Sequence, residues 1–218
     1  MKKIHTRNLY QTLSYLLLGI GFLFISACSI EDDYSHDSCH FIFDTNIHIT
    51  SHIRQAINPL SNNVFVMVSY SSILSSDKVV GYNIHTQLNN GKENTEKVTT
   101  AQEINTPYKL GIQNGLIIGW SSYNSKLYAY DALCPNCLEK GIFNKLTWGN
   151  PNFYTTCTRC GRSYDLNNNG IVIKGQEGRK LEKYHIQNHY LNFHVYFLKL
   201  CYLLVFPPLH LYKVLIHY

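Results

Sequence analysis

Four cysteines stand in two close pairs, Cys134-Pro135-Asn136-Cys137 and Cys157-Thr158-Arg159-Cys160-Gly161, separated by residues 138–156. In each pair the tight turn aims both thiols at one centre. Two such knuckles complete a tetrahedral set of four thiolates. That set suits zinc, a mononuclear iron or an iron–sulfur cluster. The same residues could instead form disulfides, which an oxidising compartment favours. A single pair could also cycle as a thiol–disulfide couple, a chemistry that places the reactive thiol at the start of a helix. No helical pattern follows either pair here. The spacing therefore predicts metal binding by Cys134, Cys137, Cys157 and Cys160 ahead of disulfide formation.

No catalytic set accompanies the cysteines, and an enzyme is not expected. His36, His40, His48 and His52 lie among Asp32, Asp33, Asp37 and Asp44. They read as a solvated linker leading into a first strand at Phe41-Ile42-Phe43. Cys39 and Cys201 are isolated and receive no role. Trp120, Trp148 and the many tyrosines read as core and sheet residues.

The elements that must position the knuckles read as strands. Val80, Tyr82, Ile84 and Leu88 share one parity while Asn83, His85 and Gln87 take the other, the alternation of a half-buried strand. Asn89-Asn90-Gly91 follows it as a turn. Tyr108-Lys109-Leu110-Gly111-Ile112 and Leu116-Ile117-Ile118-Gly119-Trp120 flank Gln113-Asn114-Gly115, which predicts a tight hairpin. Lys126-Leu127-Tyr128-Ala129-Tyr130 is a further strand. Ser163-Tyr164-Asp165-Leu166 and Ile171-Val172-Ile173 make another hairpin around residues 167–170. Residues 61–63 and 92–100 read as exposed connections. Short strands between such turns predict an all-β sandwich or barrel.

The charge sits at the ends of the chain. The 218 residues carry a formal net charge of +5, with 45% hydrophobic residues and 13% aromatics, enough for a buried core. Lys2, Lys3, Arg7, Lys199 and Lys213 lie outside residues 28–187, and every acidic residue lies inside. The central segment is therefore neutral, and a nucleic-acid partner is excluded as an expectation. Residues 1–27 begin basic, continue through the apolar run 16–25 and end on Ser26-Ala27, the pattern of a secretory signal. Ile25-Ser26-Ala27-Cys28 resembles the lipobox of bacterial lipoproteins, which implies lipidation of Cys28. Each buried acyl methylene contributes about 0.8 kcal/mol, so a multiply acylated Cys28 would hold the chain on a membrane. The acidic run Glu31-Asp32-Asp33 resembles a surface-export signal of Bacteroidetes lipoproteins, and reads equally as a solvated linker. Residues 188–218 change composition. They contain no acidic residue and no glycine, and the apolar run 200–209 is too short to span a bilayer. They read as an atypical tail: a divergent last strand plus extension, a membrane-contacting segment or, in first place, a stretch read in a shifted frame, which would leave a sheet edge exposed.

A family resemblance connects these parts. Leu127-Tyr128-Ala129-Tyr130-Asp131-Ala132-Leu133-Cys134-Pro135 resembles the first cluster-binding segment of Rieske-type domains. Cys157-Thr158-Arg159-Cys160-Gly161-Arg162-Ser163-Tyr164-Asp165-Leu166 resembles the second. Asn169-Gly170-Ile171 and Leu181-Glu182-Lys183-Tyr184-His185-Ile186 continue the pattern, so the resemblance covers residues 105–187. More narrowly, the chain resembles small Rieske-like lipoproteins of Bacteroides. The resemblance implies a Rieske-like β-sandwich over residues 41–187, after a linker at 28–40, with two cysteine-bearing loops at one end. It also implies a [2Fe–2S] cluster and a redox partner protein. Asn136 and Cys160 stand where the family has histidines, so the ligands would be four cysteines, and such a cluster would have a lower potential than a Rieske centre. Two functions follow. One is a membrane-anchored envelope lipoprotein, at the outer membrane or cell surface, that transfers electrons. The other is a non-redox binding lipoprotein whose loops are braced by zinc or disulfides.

Overall fold

Two antiparallel sheets make up the fold, and the way side chains alternate along the central strands explains why there are two. In β5 (Leu116–Trp120) every residue from Leu116 to Gly119 is buried. Leu116 and Ile118 enter one core, whereas Ile117 enters another on the opposite face. β2 (Phe65–Ser75) divides in the same way, with Val66 and Val68 on one side and Phe65 and Met67 on the other. Successive strand residues point to opposite faces, so a strand covered on both faces reads as a continuous apolar run. The computed structural model describes residues 34–35, 37–188 and 213–217. Residues 1–27, read above as a signal segment, Cys28 and Cys201 lie outside the described residues. Among those described, no helix is long and apolar enough to cross a membrane.

The larger sheet has eight strands: β1 (His40–Asp44), β2, β3 (Lys78–Leu88), β4 (Glu93–Val98), β5, β6 (Leu127–Asp131), β11 (Lys183–Asn188) and β12 (Lys213–His217). Their spatial order is β1-β12-β11-β6-β5-β2-β3-β4. The smaller sheet is β7 (Thr147–Trp148), β8 (Tyr154–Thr156), β9 (Ser163–Asp165) and β10 (Ile171–Lys174), in the order β10-β9-β8-β7. The all-β expectation holds, with three short helices added: α1 (His52–Ala56), α2 (Ala101–Ile104) and α3 (Pro135–Leu138).

One core lies on one face of the larger sheet, where Phe41 and Phe43 of β1 meet Ile53, Ala56 and Ile57 of the α1 segment and Tyr108. The other lies on the opposite face. There Phe65, Ile117 and Tyr130 meet Leu146, Tyr164, Leu166 and three of the four paired cysteines. The smaller sheet thus sits on a large apolar platform, and its loops carry the knuckles.

Several local expectations need correcting. Residues 93–98 are the edge strand β4, which pairs with β3 from Tyr82–Val98 to Gln87–Glu93, rather than an exposed connection. From Glu93 to Lys97 exposed and half-buried polar residues alternate, and Val98 alone is apolar, so there is no apolar period to read. Val80 is 41% exposed although Tyr82, Ile84 and Leu88 on the same parity are buried. Residues 108–112 do not form the first strand of a hairpin. Lys109 makes only an isolated bridge to His40. The chain then turns at Gly111 (φ 62), and the Asp131 carboxylate captures the Ile112 N–H at 2.8 Å. The predicted turn itself is present, with Asn114 at φ 52. Its side chain substitutes for a missing strand by pairing with both backbone groups of Tyr70, at 3.0 and 2.7 Å.

Candidate metal centre

Each knuckle is built by a different local device. Cys134 ends the segment after β6 in an extended conformation (φ −74, ψ 112) and stands at the N-cap of α3, with Pro135 in the first turn. Proline suits that position because its missing N–H would be unpaired there in any case. The Cys134 carbonyl then accepts from the Cys137 and Leu138 N–H groups at 3.2 and 3.0 Å. This helical turn corrects the expectation that no helix follows either pair. At four residues it is too short to show a periodic pattern in sequence.

The second knuckle joins β8 to β9. The Gly161 N–H donates to the Cys157 carbonyl at 2.9 Å, and the Cys157 N–H to the Arg162 carbonyl at 2.9 Å. Gly161 sits at φ +71, a conformation that disfavours any residue with a Cβ.

The two knuckles bring the four predicted residues together. The Sγ atoms of Cys134, Cys137, Cys157 and Cys160 all lie within 4.8 Å of one another. Two contacts join the knuckles, Cys134 to Cys160 and Cys137 to Cys157, each at 3.6 Å. A disulfide bond is about 2.05 Å long, so these sulfurs touch without bonding, and all four thiols are free. Cys134, Cys137 and Cys157 are buried and Cys160 is half-buried. Among the described residues this is the one group of three or more histidine, cysteine or acidic side chains arranged to hold a metal ion.

Donors surround the sulfurs. Asn136 Nδ2 donates to the Tyr164 hydroxyl at 3.0 Å. The same hydroxyl lies 3.1 Å from Cys134 Sγ, placed to donate to it once the sulfur is a thiolate. Asn144 Nδ2 donates to Cys157 Sγ at 3.2 Å. Burial alone would raise the Cys160 pKa. The Arg162 backbone N–H and guanidinium outweigh it and pull the thiol down to about 6. Burial dominates at Cys134 and at Cys137, and both thiols are pushed up. A divalent cation among the four sulfurs would reverse that balance, because metal binding requires thiolates and releases their protons.

A strap over residues 175–179 closes one side. Arg162 Nε donates to the Gln176 carbonyl at 2.8 Å, and its Nη2 to the Glu177 carbonyl at 3.1 Å. Asn136 Oδ1 accepts from the Arg179 N–H and Asn136 Nδ2 donates to the Arg179 carbonyl, both at 2.8 Å. A Cβ at Gly178 would fall 2.0 Å from Asn136 Oδ1, so only glycine lets the strap lie so close. Asn136 thus fastens the strap and holds the Tyr164 hydroxyl. Sequence reasoning found the four sulfurs and missed Tyr164, Asn144 and Arg162 as their neighbours. The RSYD segment after Cys160 was the one available hint for two of them.

No family model, curated protein or solved structure matches the chain. The site must therefore be read from its own geometry.

The other candidates separate from this site. Cys39 is buried away from the cluster, and burial pushes its thiol up to about 11. His48 is an ion-pair residue rather than part of a solvated linker. Its ring nitrogens lie 3.4 Å from Glu96 and 3.3 Å from Glu103. His52 opens α1, where its Nδ1 lies 3.1 Å from the Thr86 hydroxyl. Trp120 donates its indole N–H to the Ile57 carbonyl, and Trp148 packs against the cysteine-bearing core.

Proposed function

We propose that this chain is a lipid-anchored envelope protein whose Rieske-like β domain is braced by a single zinc ion held by Cys134, Cys137, Cys157 and Cys160. One observation carries the choice of a single ion. A zinc–thiolate bond of about 2.3 Å sets the edge of a four-sulfur tetrahedron at roughly 3.8 Å. Two sulfur pairs at 3.6 Å lie close to that edge, and every pair lies within 4.8 Å. A [2Fe–2S] cluster divides its four thiolates between two irons and must hold the two pairs farther apart. Four protein ligands leave no open coordination position, which is the mark of a structural rather than a catalytic zinc site.

The Rieske-like reading has topological support. The knuckles lie in the β6–β7 and β8–β9 connections, the β9–β10 hairpin follows, and β11 returns to pair with β6. The family resemblance implied a [2Fe–2S] electron carrier with a redox partner. A single closed zinc site instead favours the non-redox binding role. The envelope location rests on the signal-like start and Cys28.

Metal analysis and a visible spectrum of the mature chain, purified anaerobically over residues 29–218, test this. The expected result is a colourless protein with one zinc per chain. Two irons with acid-labile sulfide and visible absorption would restore the electron-transfer role.

A further inference from the structure

The smaller sheet and its loops cover only part of the outer face of the larger sheet. Where that cover stops, a cleft of about 330 Å³ opens. Small-molecule sites begin at roughly this size. Its floor is two neighbouring cross-strand rows, Met67–Gln87–Glu93 and Ser69–His85–Thr95. Its wall is Gly115, Ala132, Lys145 and Leu146. The wall is fixed by backbone pairing. Leu133 bridges Lys145, and the Leu146 N–H donates to the Ala132 carbonyl at 2.8 Å. Such a cleft is preformed, so a ligand would meet little ordering cost.

Two opposite charges line it without meeting each other. Glu93 is held by a neutral partner, the Gln87 amide, which donates to it at 2.9 Å. Lys145 Nζ donates to the Asn114 carbonyl at 3.3 Å. No ion pair joins the two among the described residues. Both side chains keep hydrogen-bonding capacity, because an ammonium has three donors and a carboxylate has two acceptor oxygens. Met67 and the buried Ala132 and Leu146 supply the apolar part of the lining.

We propose that this cleft binds a short zwitterionic peptide with an aliphatic side chain. Its ammonium group pairs with Glu93, its carboxylate with Lys145, and its side chain lies against Met67, Ala132 and Leu146. A terminal carboxylate and amine each form charge-assisted hydrogen bonds, which are stronger than neutral ones. The wall abuts the core that holds the cysteines, since Ala132 and Leu146 pack with Cys134, Cys137 and Cys157, but none of the four cysteines lines the cleft.

Titration of the mature chain with glycyl-leucine, followed by methyl NMR shifts of Met67 and Leu146, tests the assignment. Saturable shifts are expected, with N-acetyl-glycyl-leucine and glycyl-leucinamide binding at least tenfold more weakly. Glu93→Gln and Lys145→Gln should each weaken glycyl-leucine by a similar factor. The unmodified protein with the three peptides decides the matter even where a variant fails to fold. Equal binding of all three peptides, no saturable shift, or preference for a neutral disaccharide would overturn the proposal.

Discussion

Tyr164 shows how a single residue supports the site. Its ring is buried in the core beneath the knuckles, and its hydroxyl links Asn136 to Cys134 Sγ. Burial comes first in pushing its pKa up, so the phenol stays protonated and remains a donor to sulfur. A neutral intramolecular hydrogen bond contributes about 1 kcal/mol, more when the acceptor is charged. Tyr164→Phe should keep the metal and lower stability by about 1–2 kcal/mol, read as a shift in the denaturation midpoint at unchanged metal content. An unshifted midpoint would mean that the hydroxyl does nothing for the sulfur. The four cysteines were legible in the sequence because knuckle geometry is local. Tyr164, Asn144 and the Asn136–Arg179 clasp were not, because each depends on segments that meet only after the two sheets pack. Arg179 is 43 positions from Asn136.

The same limit governs whole elements. β3, β6 and the β9–β10 hairpin were legible from alternation and turn residues. β4 was not, because an edge strand of polar residues lacks an apolar face. Its place is fixed partly by an ion cluster on its inner side. His48 follows β1, Glu96 belongs to β4 and Glu103 to α2, and the Glu103 carboxylate also accepts from the Asp44 N–H at 2.8 Å and the Thr100 hydroxyl at 2.5 Å. Phe43 stacks on the His48 ring with centroids 4.6 Å apart. Pairing with Glu103 first and Glu96 second raises the His48 pKa from 6.5 to about 9, against burial. Burial would raise the Glu103 pKa, but His48, the Asp44 N–H and the Thr100 hydroxyl together hold it below its ordinary value of 4.5.

The signs follow from linkage. The His48 contribution is complete below its unfolded pKa of 6.5 and fades as pH rises through about 9. The Glu103 contribution is complete above 4.5 and fades as pH falls through its lowered value. His48→Gln leaves the buried Glu103 charge uncompensated, a loss of about 3 kcal/mol for a broken buried pair. The difference in unfolding free energy from wild type should be largest near pH 6 and narrow above pH 9. A difference that is flat across this range would remove the ion cluster from the account.

For the whole molecule, the strands of the larger sheet serve two cores at once. The doubled platform was not legible, because a continuous apolar run such as Leu116-Ile117-Ile118 does not say what covers each side. The sheet also draws on both ends of the described chain. β12 lies between β1 and β11, with His217 opposite both His40 and His185. The proposed membrane attachment rests on Cys28 in the sequence. Cys28→Ala should move the protein from the membrane to the soluble fraction. Continued retention would place the anchor elsewhere.

The central claim is that four cysteines hold one ion. X-ray absorption at the zinc edge of the purified mature chain measures this most directly. The account predicts four sulfur neighbours at about 2.3 Å and no metal neighbour. Fewer than four sulfurs around the zinc, or an iron centre with a second iron beside it, would contradict it.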